Sequence, residues 1–257
     1  MQLPTNKLKR GLREGRPQIG LWCSLVSPVA TEVVAGAGFD WVLIDMEHAA
    51  NEVSTVLAQL HAVSASGVSP IVRQPANDPV LTKRLLDIGV QSFLVPMINS
   101  AEEARQVVAA TRYPPNGMRG VATATRASQF GRIKDYHQRA QEEICVIVQV
   151  ETREALAQLD AIAAVEGVDC VFIGPSDLSA ALGHLGNASE PSVREAIADA
   201  FKRVQRAGKA AGILTGVEAD AKHWLELGAL FCGVGADIGI LARQSEALAA
   251  KFGLPRK

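Results

Sequence analysis

One pattern constrains this chain more than any other: a short apolar run followed by a helix-like segment, repeated eight times. The apolar runs fall at 19–25, 41–46, 70–73, 92–97, 144–150, 169–173, 210–215 and 230–234. Most are rich in Val, Ile and Leu without polar alternation, as expected of strands in a parallel sheet covered by helices. The helical stretches between and after them are 28–37, 53–66, 79–88, 101–111, 153–164, 192–207, 218–227 and 238–252, with a further short basic helix at 3–16. Proline opens several of them (Pro28, Pro79) and glycine closes several (Gly38, Gly67, Gly89, Gly208), the usual punctuation of helix ends. Eight strand–helix units in 257 residues predict a (β/α)8 TIM barrel. The competing doubly wound open sheet would carry a glycine-rich fingerprint after its first strand. Here that turn reads Ser24-Leu-Val-Ser-Pro28. No Pro-, Gly- or Ser-rich linker divides the pattern, so residues 1–257 are expected to form a single domain.

Composition excludes several function classes. The 26 basic and 27 acidic residues leave a net charge of −1, without the basic stripe that nucleic acid demands. No apolar run approaches the roughly 18 residues of a membrane span. The first ten residues lack the apolar core of a signal peptide. Cys23, Cys145, Cys170 and Cys232 lie singly inside apolar runs, as small buried hydrophobes rather than a disulfide framework or zinc site. A cytoplasmic protein is expected.

In a barrel, chemistry is built at the C-terminal ends of the strands. The polar residues gathered there are Trp22 and Ser24, then Asp45, Glu47 and His48, then Arg73 and Gln74, Gln149 and Glu151, Ser176 and Asp177, Thr215, and Asp237. Glu151 and Asp177 follow adjacent buried strands. Either they supply two oxygen ligands to a hard divalent cation, or one starts a helix and the other caps a turn. His48 is either a general base near neutral pH or a loop histidine satisfied by Glu47. Arg73 ends a buried strand and needs an anion. That anion is either Asp45 or an oxygen of the substrate, and the position facing the site favours the substrate. No lysine ends a strand on this face, which removes a Schiff-base mechanism. The backbone N–H groups of Gly174-Pro-Ser-Asp-Leu-Ser179 can bind a carboxylate, and the loop from Gly117 to Arg126 either contacts an anionic substrate or a neighbouring subunit or is solvated loop charge.

Together these residues resemble the HpcH/HpaI family of class II pyruvate aldolases. The resemblance rests on Gly20-Leu-Trp22, Gly38-Phe-Asp-Trp-Val-Leu-Ile-Asp45 with Glu47-His48, Val72-Arg73, Asn77-Asp-Pro79 and Leu85-Leu-Asp87. It continues through Leu94-Val-Pro-Met97, Gly117-Met-Arg-Gly120, Gln149-Val-Glu151, Gly174-Pro-Ser-Asp-Leu178 and Glu226-Leu-Gly-Ala229. It spans nearly the whole chain, in order. The resemblance implies reversible aldol cleavage of a 4-hydroxy-2-oxo acid to pyruvate and an aldehyde, with a divalent ion (Mg2+, Mn2+ or Co2+) as cofactor. Carried over residue by residue, Glu151 and Asp177 resemble the metal ligands, His48 the base, and Arg73 the group that steadies the enolate oxygen. Gln149, Gly174, Pro175 and Ser176 resemble the pyruvate wall, and Trp22 and Leu214 the aldehyde side. Asp87 resembles an aspartate that pairs with the base of a neighbouring subunit. That implies a homo-oligomer, typically a hexamer built as a trimer of dimers with exchanged C-terminal helices. The chain departs from the family pattern at Gln74-Pro-Ala76 and at Ser176, positions that bear on aldehyde fit rather than on the chemistry. Two alternatives remain: another metal-enolate lyase on the same site, such as a sugar-acid aldolase, an oxaloacetate decarboxylase or an acyl-CoA lyase, and a non-catalytic barrel that binds a small acid.

Overall fold

A computed structural model describes residues 1–254. In chain order the elements are α1 (Lys7–Arg13), β1 (Gln18–Cys23), α2 (Pro28–Ala35), β2 (Trp41–Asp45), α3 (Val53–Ala62), β3 (Ser69–Arg73), α4 (Pro79–Asp87), β4 (Ser92–Val95) and α5 (Ala101–Thr111). There follow α6 (Tyr136–Arg139), a 3-10 turn (Ala140–Glu143), β5 (Cys145–Val150), α7 (Arg153–Ala157), α8 (Leu159–Ala163), β6 (Cys170–Ile173) and α9 (Pro175–Ala181). The chain continues through α10 (Pro191–Arg206), β7 (Ala210–Leu214), α11 (Glu218–Glu226), β8 (Ala229–Ala236) and α12 (Asp237–Lys251). The eight strands pair in sequence order, all parallel, and β8 closes on β1. The predicted (β/α)8 barrel is the observed fold.

The two-residue period of a strand explains why the site lies where it does. On β2, Trp41 and Leu43 belong to the cluster that fills the barrel interior, while Ile44 packs outward under the helices. The inward series therefore continues to Asp45. On β3 it runs through Ile71 to Arg73, and on β5 through Cys145 and Ile147 to Gln149 and then Glu151. On β6 it runs through Cys170 and Phe172 to Gly174. Each series is apolar in the barrel and turns polar or small at its C-terminal end. The opposite end is plugged by α1, whose Leu8 and Leu12 join the interior cluster. Lys9 anchors that helix by donating to the Ile144 carbonyl and to Asp169 Oδ2. Interior space is tight: a Cβ on Gly20 would lie 2.0 Å from the Trp41 ring, which stacks on Phe231 with centroids 4.2 Å apart.

Local departures from the sequence reading have physical causes. Helix 153–164 is two short helices broken at Gln158, whose φ of −94° and ψ of 3° leave the helical region. The first helix keeps only Lys7–Arg13, because Asn6 caps it by accepting from the Lys9 N–H at 3.0 Å. The stretch 174–190, read as a loop, opens with α9. Pro175 occupies the first helical turn, where its missing N–H costs nothing.

Candidate active site

At the C-terminal mouth of the barrel lies a cavity of about 440 Å³, within the range of small-molecule sites. Ten of the eleven site residues expected from the sequence line it: Trp22, His48, Arg73, Gln149, Glu151, Gly174, Pro175, Ser176, Asp177 and Leu214. The eleventh, Asp87, ends α4 away from this cavity, where its carboxylate takes Arg119 Nη2 at 3.1 Å.

Glu151 is 1% exposed. Its Oε1 accepts from the Met97 N–H at 2.9 Å and its Oε2 from Gln149 Nε2 at 2.5 Å. Burial raises its pKa above the ordinary carboxylate value, opposed by the hydrogen bonds from Gln149 and Met97; nearby Asp177 raises it further and Arg73 lowers it. A negative charge held in this position calls for a cation. Met97, which supplies the amide, sits at a φ of 57°, a strained conformation for a non-glycine residue. The sequence offered no signal for this contact.

Asp177 lies in the first turn of α9, yet the helix cap is Gly174 and no side chain caps it. Its carboxylate has no hydrogen-bond or ion-pair partner among the described residues and lines the cavity beside Glu151. Two buried polar atoms in the same wall also lack partners, Gln149 Oε1 and the Trp22 indole Nε1. Two acids and the unpartnered Gln149 Oε1 suit a hard cation whose remaining positions are filled by water and substrate, while the Trp22 N–H, a donor only, suits an oxygen of a bound acid. Among the described residues no three His, Cys, Asp or Glu side chains converge into a closed metal cage.

Gly174 makes room for this arrangement. A Cβ built there would lie 2.4 Å from Glu151 Oε2 and 3.0 Å from Glu151 Cβ. Gly174→Ala is therefore expected to push the Glu151 carboxylate aside and lower kcat roughly 10- to 100-fold, the scale of misplacing a side chain in a reactive cavity by about an ångström. The far-ultraviolet circular dichroism spectrum should stay unchanged. An alanine variant with wild-type kcat would remove the constraint.

Arg73 corrects the expectation that its main partner is substrate. Asp45 and Arg73 are register partners on adjacent strands. Arg73 Nε donates to Asp45 Oδ1 at 2.9 Å and Nη2 to Asp45 Oδ2 at 2.6 Å, while Nη1 makes an ion pair with Glu47 Oε2 at 2.9 Å. The bidentate fork goes to protein, which leaves only part of the five-donor set for a substrate oxygen. Glu47 has its pKa raised, burial leading; Arg73 and His48 lower it, and Glu151 and Asp45 raise it. His48 stands at the rim with its side chain 63% exposed, and its Nε2 lies 3.9 Å from Glu47 Oε2, too far for a hydrogen bond. Its contact with Glu47 is at most a long ion pair, and the ring stays open to the cavity. Asp237, another acid on this face, is structural: it accepts from the Ser24 and Leu25 N–H groups at 2.8 and 3.2 Å.

The sequence reading missed the outer wall of the cavity. Arg194 of α10 and Asp220 and Trp224 of α11 line it together with Ser189. Arg194, Asp220 and Trp224 lie on helices and Ser189 in a turn, rather than at strand ends where an apolar run marks the site.

Comparison with known proteins agrees with this geometry. The family description HpcH/HpaI aldolase/citrate lyase matches residues 18–243. A pyruvate aldolase of Rhizobium etli is 57% identical over 98% of this chain and 99% of its own. A 4-hydroxy-2-oxo-heptane-1,7-dioate aldolase of Escherichia coli is 56% identical over 96% of this chain and 95% of its own. The crystal structure of an HpcH/HpaI aldolase/citrate lyase family protein from Burkholderia cenocepacia superposes with a TM-score of 0.93 at 42% identity, covering 96% of this chain and 99% of that one. Barrel, cavity and whole-length likeness together make this chain a carbon–carbon lyase that belongs to the HpcH/HpaI aldolase/citrate lyase family.

Proposed function

We propose that the chain catalyses the reversible aldol cleavage of a 4-hydroxy-2-oxo acid, such as 4-hydroxy-2-oxoheptanedioate, to pyruvate and an aldehyde. The observation that carries this reading is one cavity holding two acids, two unsatisfied polar groups, a fixed arginine and a histidine exposed at its rim. Glu151 and Asp177 would hold a divalent ion, Mg2+, Mn2+ or Co2+, which supplies Lewis-acid charge against the developing enolate. Arg73 adds a second positive group beside that oxygen, its position fixed by Asp45 and Glu47. His48 takes the proton from the C4 hydroxyl in cleavage and returns it in the reverse direction. Gln149 and the turn Gly174-Pro-Ser176 bind the pyruvate half, while Trp22 and Leu214 bound the aldehyde half.

The same reading extends to assembly. Along α12 only Asp237 is buried, and Ile238, Ile240, Leu241 and Leu248 stand 50–58% exposed. An apolar helix face of this kind suits contact with another copy, in a hexamer of three dimers with exchanged C-terminal helices. Asp87 would reach the base of a neighbouring subunit in that assembly. Among the described residues no helix is long and apolar enough to cross a membrane. The four cysteines are unpaired and buried, as a reducing cytoplasm permits.

The test is a panel of aldehydes offered with pyruvate, before and after dialysis against EDTA. Carbon–carbon bond formation should fall at least about 100-fold on chelation and return with Mg2+, Mn2+ or Co2+. Loss of CO2 from oxaloacetate with no aldehyde consumed assigns a decarboxylase instead. Full activity in EDTA removes the metal.

A further inference from the structure

We propose that Arg194 recognises the far end of the aldehyde half of the substrate, and that this end carries a carboxylate. The inference rests on the aldolase reading above and adds a specificity residue to it.

The cavity is lined by two arginines in different states of use. Arg73, at the catalytic end, is held by Asp45 on two nitrogens and by Glu47 on the third. Arg194, on the wall that α10 contributes, makes one such contact: Nη1 donates to Asp220 Oδ1 at 2.7 Å. Its guanidinium carbon lies 5.0 Å from the centroid of the Trp224 ring, and Trp224 is 3% exposed. An aromatic wall and a carboxylate tether hold the guanidinium in place, so little rotamer freedom is lost when a ligand binds. A guanidinium carries five N–H donors, and one contact to Asp220 leaves most of them. The same cavity shows that a tether does not exclude a second anion, because Arg73 carries two.

The charge distribution sets the direction. Arg73 is already neutralised by Asp45 and Glu47, with Glu151 and Asp177 lining the same cavity, so it offers a second substrate carboxylate less net positive charge than Arg194, which faces one acid. Arg194 is where that charge is drawn. The same cavity wall includes Ile213, Leu214 and Val217, which suits the methylene chain of an aldehyde acid.

The experiment measures kcat/KM for condensation of pyruvate with semialdehyde acids of three, four and five carbons, each against the unsubstituted alkanal of equal length. It uses the wild type, Arg194→Gln and Asp220→Asn. Wild-type turnover of the alkanals establishes the aldolase reading independently of Arg194; without any aldehyde turnover, that reading itself fails. The expected result is a preference for the acid at one or more lengths, reduced about tenfold or more in Arg194→Gln. Asp220→Asn removes the competing anion and should keep or raise the preference. If Arg194 and Asp220 merely tie α10 to α11, both variants lower the melting temperature alike and neither moves the acid-to-alkanal ratio. That outcome, or a wild type with no preference at any length, overturns the proposal.

Discussion

Glu151→Gln is expected to leave the fold intact and to remove turnover. Glutamine keeps the shape of a side chain that is 1% exposed. Its amide nitrogen would face one of the two donors that Glu151 now accepts, Gln149 Nε2 or the Met97 N–H. Gln149 can rotate its own amide to answer this, because its Oε1 has no partner as it stands. The sign of the stability change follows from the raised pKa of Glu151. A carboxyl whose folded-state pKa exceeds its unfolded one favours folding when protonated, and that contribution is lost as pH rises through the folded value. At pH 7, without a cation, the charged form costs stability, so the metal-free glutamine variant should melt no lower than the metal-free wild type. Catalysis should behave oppositely. If Glu151 is one of two carboxylate ligands as proposed, its loss removes several kcal/mol of charge stabilisation, on the order of 10³-fold in kcat. Titration with Mn2+ followed by calorimetry should show the same variant binding the ion at least about 100-fold more weakly. Unchanged Mn2+ affinity and unchanged kcat together would falsify the role of Glu151.

That contrast between fold and chemistry was partly visible in the sequence. An apolar run such as 146–150 ending in Glu151 is legible because burial on both faces excludes charge until the strand leaves the sheet. Asp177 is legible for the same reason, although the helix it sits on is not: Gly174-Pro-Ser176 reads as a turn, and only Pro175 at a first helical position hints otherwise. The partner of Arg73 is a matter of register. Asp45 and Arg73 lie 28 positions apart, and nothing in either run shows that they stand side by side on neighbouring strands. Arg194, Asp220 and Trp224 were hidden for a different reason. They belong to helices that reach the cavity wall, and a helix with a buried stripe and a polar face looks ordinary until it is placed against the barrel. Asp87 shows the limit of a single chain: its neighbour here is Arg119, and its proposed role concerns another subunit.

Substitutions at Arg73 are expected to separate stability from catalysis. Arg73→Ala leaves Asp45, 1% exposed, and Glu47 without their cation. Breaking a buried pair by removing one member costs about 3 kcal/mol or more, because the remaining charge is stranded. For a chain of this size that lowers the melting temperature by on the order of 10 °C. The same variant should lose on the order of 10³-fold in kcat, the scale expected when a fixed positive group is taken from a developing oxyanion. Arg73→Lys divides the two effects. Lysine restores a positive charge near Asp45, so part of the melting temperature returns. Its single ammonium cannot span both oxygens of Asp45 and the Glu47 carboxylate at once, as the fork of Arg73 does. The group facing the substrate is then no longer held in place, and kcat should stay at least about 100-fold below wild type. Pairing Arg73→Ala with Asp45→Asn completes the argument: neutralising the stranded acid should recover stability without recovering turnover. A lysine variant with wild-type kcat would mean that charge alone suffices. A double variant that regained activity would mean that Arg73 serves the barrel and not the reaction.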